Sequence, residues 1–136
     1  MLDSLQRQLC DVQGRLFVLS GDSGCASEPF IRTFMLGETA AAYDRPYDRS
    51  QWMGEGYLFE EVDKSAGGLT RDGERFSRET LFWIGYTYRY WHFLTGESSR
   101  EIYAVADARQ MARAYPGFHT LDPELAIERL REIRSA

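Results

Sequence analysis

Few side chains in this chain could move a proton or hold a phosphate. There are two histidines, His92 and His119, and five residues separate Arg113 from His119. A cation beside phosphate and a group that titrates near neutral pH are what 2′-hydroxyl attack on a phosphodiester requires. Pro116-Gly117 lies between them, however, and the plainer expectation is that the His119 ring satisfies a turn before Thr120. His92 follows Arg89 by one helical turn and could be assembled with Glu79, Glu97 or Tyr88 into an acid/base site. No spacing compels that assembly. There is no His-x-x-x-His pair, no Gly-rich phosphate loop and no nucleophile elbow. Gly54-x-Gly56 lacks the preceding strand of a dinucleotide fingerprint and reads as close packing. No catalytic residue, metal or cofactor is therefore expected.

Charge narrows the partners. The chain has 136 residues, with 21 acids against 16 bases. Residues 1–64 hold 11 acids and 6 bases, and residues 65–136 hold 10 of each. An acidic first half repels a phosphate backbone, so nucleic acid is not expected as a partner. It can instead steer toward a basic protein. All bases but Lys64 are arginine, a skew that reads as codon bias. Cys10 and Cys25 are too few for a zinc site and read as small buried apolar side chains.

The hydrophobic pattern sets the elements that must position these groups. Leu2, Leu5, Leu9, Val12, Leu16 and Leu19 recur at alternating spacings of three and four, the stripe of an amphipathic helix. Asp3 suits its start and Gly21 its left-handed stop, while Gly14 weakens it by about 1 kcal/mol. The stripe packs on its own domain, with a homodimer through residues 2–19 as the alternative. Ser27 reads as the cap of a second helix that kinks or breaks at Gly37 and ends near Tyr43, and Asp44 to Arg49, with Arg45-Pro46, reads as irregular. Ser50 reads as the cap of a third, with Trp52 on its inner side. Residues 65–76 read as a loop, with a minimal hairpin at Asp72-Gly73 as the alternative.

Ser77 opens the most informative segment. Its aromatic and aliphatic residues cover every side of a helix before Gly96, which makes it the central post of a bundle. Ser98 with Glu101 fits a capping box, Asp107 starts a further helix that Pro116-Gly117 ends, and Thr120 or Asp122 caps the last. The expected fold is all-α. It is a compact bundle of six or seven helices around a central aromatic-rich helix at about 77–95, in one domain over residues 1–136. No apolar run approaches the roughly 20 residues of a membrane span, and no signal-peptide core is visible, so a cytoplasmic protein is expected. The pair of short helices over 98–115 has a helix-turn-helix outline, with Arg100, Arg109 and Arg113 able to reach phosphate. Against it, the reading helix starts with an acid and spends Ala108, Met111 and Ala112 on packing.

The run Arg89-Tyr90-Trp91-His92, Thr95-Gly96-Glu97-Ser98-Ser99, Ile102-Tyr103, Ala106-Asp107-Ala108 and His119-Thr120-Leu121 resembles a family of small bacterial helical proteins. Members of that family are antitoxin-like and sit on mobile elements or beside toxin genes. The resemblance spans most of residues 28–133 and implies a neutralising or accessory role, with a toxin as one possible protein partner. It carries over no catalytic residues. The expected contact surface is the acidic first half and the edge of the aromatic helix. Tyr88, Arg89, Trp91 and His92 come first there, then Tyr115 and His119, because Tyr, Trp and Arg dominate interface hot spots. Three alternatives stand beside this reading. The Arg113–His119 spacing matches that of HEPN-like ribonucleases, residues 98–115 could serve a DNA-binding regulator, and the acidity permits a phage-encoded inhibitor that mimics nucleic acid.

Overall fold

The computed structural model describes residues 2–135, which form eight α-helices and one 3-10 turn and contain no strand. The helices are α1 (Ser4–Asp22), α2 (Ser27–Met35), α3 (Glu38–Asp44), α4 (Glu55–Ala66), α5 (Arg78–Thr95), α6 (Ser99–Val105), α7 (Ala108–Phe118) and α8 (Pro123–Ser135). The all-α class and the aromatic centre follow the sequence pattern. Phe17 anchors the core, packing edge-on against Phe30 and Phe34 at centroid separations of 5.8 and 5.6 Å. Such pairs are worth about 0.5–1.5 kcal/mol beyond their buried area.

α1 starts at a capping box between Asp3 and Gln6. Leu2, Leu9 and Leu16 of its stripe are buried, Val12 and Leu19 are half-buried, and Leu5 is exposed. The buried side lies along α4 and α5 of the same chain, so the seam expected of a homodimer through 2–19 is already occupied. Gly14 is no mere weak point. A Cβ there would stand 2.8 Å from the Phe82 ring, and one on Gly85 would stand 2.5 Å from the Gln13 carbonyl oxygen. The two glycines let α1 and α5 approach closely. Gly21 does not stop α1 either. The helix continues to Asp22, and the left-handed residue is Gly24, at φ +89°.

Ser27 is the first residue of α2, not its cap, and Ala26 in the cap position makes no side-chain bond. The loop after α4 supplies what is missing. Ala26 N donates to the Thr70 carbonyl and Ser27 N to that of Glu74, both at 2.9 Å. Phe76 N donates to Ser27 Oγ at 2.8 Å. Residues 70–76 thus strap the start of α2, with no hairpin. The chain breaks at Gly37, as expected. A short 3-10 turn, Arg49–Trp52, stands where a helix capped by Ser50 was expected, and α4 begins only after Gly54. No atom lies within 4 Å of a Cβ built on Gly54 or Gly56, so close packing does not explain that pair.

α5 is capped by Ser77 and closed by Gly96 at φ +79°. Leu81, Ile84, Tyr88 and Trp91 are buried, and α1, α6, α7 and α8 pack around the helix. One face is less covered: Phe82, Tyr86 and Tyr90 form a half-buried ladder with centroids 5.9 and 6.2 Å apart. α6 and α7 each open with a capping box, Ser98–Glu101 and Asp107–Gln110. α7 does not end at Pro116-Gly117 but carries Pro116 inside its last turn and runs to Phe118. Proline in that position forgoes one amide bond without ending the helix. Asp122 accepts from Glu124 N at 3.0 Å and caps α8. Among the described residues no helix is long and apolar enough to cross a membrane.

Candidate functional site

Two features gather polar or aromatic groups beyond what packing requires. The first lies inside the bundle, around Arg89, which is fully buried on α5. Its Nε donates to Gln13 Oε1 at 2.8 Å, and one terminal nitrogen donates to Asp44 Oδ1 at 2.6 Å. The other terminal nitrogen is 3.3 Å from Ser99 Oγ. Asp44 also accepts from the Ser99 amide at 2.8 Å and the Ser99 hydroxyl at 2.7 Å. Gln13 completes the set by donating to the Gly85 carbonyl at 2.9 Å. Beneath the guanidinium lies the Tyr43 ring, 4.6 Å to its centroid. Burial pushes the Tyr43 phenol up from its ordinary range, against the pull of the Arg89 charge.

Four helices, α1, α3, α5 and α6, meet in this network. A buried charge is tolerable only when paired and hydrogen-bonded, and here both partners are. The arrangement fixes geometry; it does not offer a reactive group to solvent. Ser99 is buried, and its oxygen is shared between Asp44 and Arg89. Among the described residues no group of three or more His, Cys, Asp or Glu side chains could hold a metal ion.

The structure sorts the six residues expected at a contact surface into two sets. Tyr88, Arg89 and Trp91 are interior, which corrects their placement on an exposed edge. Tyr88 donates to the Ala106 carbonyl at 2.6 Å, and Trp91 Nε1 donates to Glu97 Oε1 at 3.0 Å. His92, half-buried, holds Nδ1 2.6 Å from the Glu97 carbonyl and 3.9 Å from Asp44 Oδ1. Arg89, Trp91 and His92 are linked through Asp44 and Glu97, while Tyr88 packs against Phe17 and Tyr103. Tyr115 and His119 form a separate outer pair, stacked at 4.3 Å, with His119 Nδ1 against the Tyr115 carbonyl at 2.7 Å. That is the turn-satisfying role expected of His119. Arg113 faces two grooves, and His119 lines neither. In the 98–115 segment, Arg100 donates to the Leu36 carbonyl and Arg109 pairs with Glu28.

The second feature is the loop between α3 and α4, which the sequence marked as irregular over Asp44 to Arg49 and as the start of a helix from Ser50. Tyr47 is 87% exposed and Trp52 67% exposed, correcting the inward placement of Trp52. Their backbone is nevertheless tied down. Gln51 Nε2 donates to the carbonyls of Tyr43 and Arg45, both at 3.0 Å, and Asp48 accepts from Ser50 N at 2.9 Å. The Ser50 amide, then its hydroxyl and Arg45, hold the Asp48 carboxyl below its ordinary range. Tyr47 is the only non-glycine residue described with positive φ, at 64°. Ser50 Oγ is buried beside the Asp48 carboxyl, on the wall of a 270 Å³ cavity shared with Glu38, Arg45, Arg49 and Glu61.

Fold and site together define an all-α bundle with a sealed polar brace and an aromatic-bearing loop. No family model matches the chain, and no curated protein or solved structure matches it.

Proposed function

We propose that the protein is a non-enzymatic interaction module, an antitoxin-like neutralising or accessory protein, whose partner docks on the loop between α3 and α4. The observation that carries this reading is the outward presentation of Tyr47 and Trp52 on a hydrogen-bonded loop. Exposed aromatics on a fixed backbone lose little entropy on binding, and Tyr, Trp and Arg are the types that concentrate binding energy. Arg45 precedes Tyr47, and Arg49 lies between the two aromatics in the chain.

Charge supports the choice of occupant. The loop's cavity sets Glu38, Asp48 and Glu61 against Arg45 and Arg49, and the first half of the chain carries the acidic surplus. The partner that fits is a protein with a basic, partly apolar segment. The sealed state of the Arg89 network, and a His119 that lines neither groove faced by Arg113, favour this reading over a nuclease.

The test is co-expression with the product of the adjacent gene, followed by affinity measurement on the purified pair. Trp52→Ala and Tyr47→Ala should each weaken the complex about tenfold or more and restore growth arrest by the neighbour. Unchanged affinity in both variants would overturn the docking surface. Growth arrest by this chain alone would overturn the neutralising role.

A further inference from the structure

Remote from that loop, a groove of about 510 Å³ lies between the start of α5 and the outer side of α7. Arg75, Arg109 and Arg113 line it, with Glu74 as the one carboxylate on its walls. Arg109 gives its Nε to Glu28 Oε2 at 2.5 Å and keeps its terminal nitrogens for another acceptor. Arg75 and Arg113 have no ion-pair partner among the described residues.

The positions of these cations are set by backbone. Arg75 sits between Glu74, whose carbonyl accepts from Ser27 N, and Phe76, whose amide donates to Ser27 Oγ. Arg109 and Arg113 are one turn apart on α7, whose Ala108 and Met111 are locked into the core. Glu28, paired with Arg109, and Glu74 on the wall offset part of the charge of the three arginines, and an anion bound in the concavity would offset the rest. The groove's size falls within the range of about 300–1,000 Å³ usual for ligand clefts. Ser77 and Thr80 complete the wall at the first turn of α5, the helix end that favours negative charge.

We infer that this groove binds a ligand carrying two or more linked phosphates. Guanidinium forks match phosphate oxygens bidentately, and the forks of Arg75 and Arg113, with the terminal nitrogens of Arg109, offer donors to more than one phosphate of a linked chain. A nucleoside polyphosphate and an inorganic polyphosphate share that chemistry.

Calorimetry and amide NMR on the full chain, with ATP and inorganic triphosphate as probes and citrate as a carboxylate control, test the inference. Saturable binding is expected, with shifts confined to residues 74–80 and 109–113. Arg75→Ala and Arg113→Ala should each weaken it about tenfold without altering thermal stability. Tighter binding of ATP would identify a nucleotide, and equal binding the phosphate chain itself. Absence of saturation by either probe at millimolar concentration would overturn the site, as would citrate binding equally well or affinity unchanged in both arginine variants. Trp52→Ala should leave phosphate binding intact, which separates this site from the docking loop.

Discussion

Gln13 and Gly85 meet twice across the α1–α5 contact. The Gln13 side-chain amide donates to the Gly85 carbonyl at 2.9 Å, and the Gln13 backbone oxygen lies 2.5 Å from where a Cβ on residue 85 would stand. The close approach and the hydrogen bond therefore depend on one another. Gly85→Ala gains about 1 kcal/mol in helix propensity but drives a methyl into backbone that cannot yield. A net loss of about 2–3 kcal/mol is expected, read from the urea midpoint. Gly14→Ala should cost less, because it meets a movable ring of Phe82.

The Arg89–Asp44 pair ties two helices far apart in sequence. Arg89 is fully buried and the Asp44 side chain 11% exposed, so removing either partner strands a charge. Arg89→Met and Asp44→Ala should each cost about 3–5 kcal/mol, and the double variant less than their sum. Additive losses in a double-mutant cycle would show that the two residues act independently.

What could be read ahead of the structure was mostly local. The Ser98–Glu101 box and the Asp107 cap span three residues each, so side-chain type and spacing reveal them directly. The all-round apolar surface of 81–94 likewise required a helix wrapped by others. Gly14 was opaque because its partner, Phe82, lies on another helix, and propensity sees only the helix it belongs to. Asp44 looked like part of an irregular turn, and nothing at that position points to an arginine 45 residues away. Tyr88 and Trp91 have the residue types of interface hot spots, yet the same types fill cores. Only the packing of α1, α6 and α7 decides between the two. Trp52 misled in the opposite sense, since a 3-10 turn rotates it outward from the face that α-helical spacing assigns.

Alkaline pH should weaken the fold before it affects the surface. Burial pushes the Cys10 thiol up to about 12 from 9.0, against the attraction of the Arg89 charge. The folded state then binds more protons than the unfolded chain between those values, so stability is full below about pH 9 and declines as pH rises toward 12. Tyr43 and Tyr88, raised chiefly by burial, add to the decline above about pH 10. Urea midpoints should fall between about pH 8 and pH 10.5. Cys10→Ala should make that fall shallower, and an unchanged slope would remove Cys10 as a cause. In native protein near neutral pH, both Cys10 and Cys25 should resist thiol reagents, because neither is exposed.

Tyr47 separates stability from recognition. Its φ of 64° lies in the left-handed region, which costs a residue with a Cβ about 1–2 kcal/mol. Its ring, 87% exposed, contributes little packing in return. Tyr47→Gly removes the steric cost but adds about 0.5–1 kcal/mol of backbone entropy to the unfolded chain. The balance is a protein equally stable or more stable by up to about 1.5 kcal/mol. Tyr47→Ala keeps the Cβ and should show no such gain. If the ring is kept in its strained position for docking, Tyr47→Gly must lose partner affinity while thermal unfolding stays level or moves upward. Matching losses of stability and affinity would mean that the ring supports the loop, and the docking role would then fall to Trp52 alone.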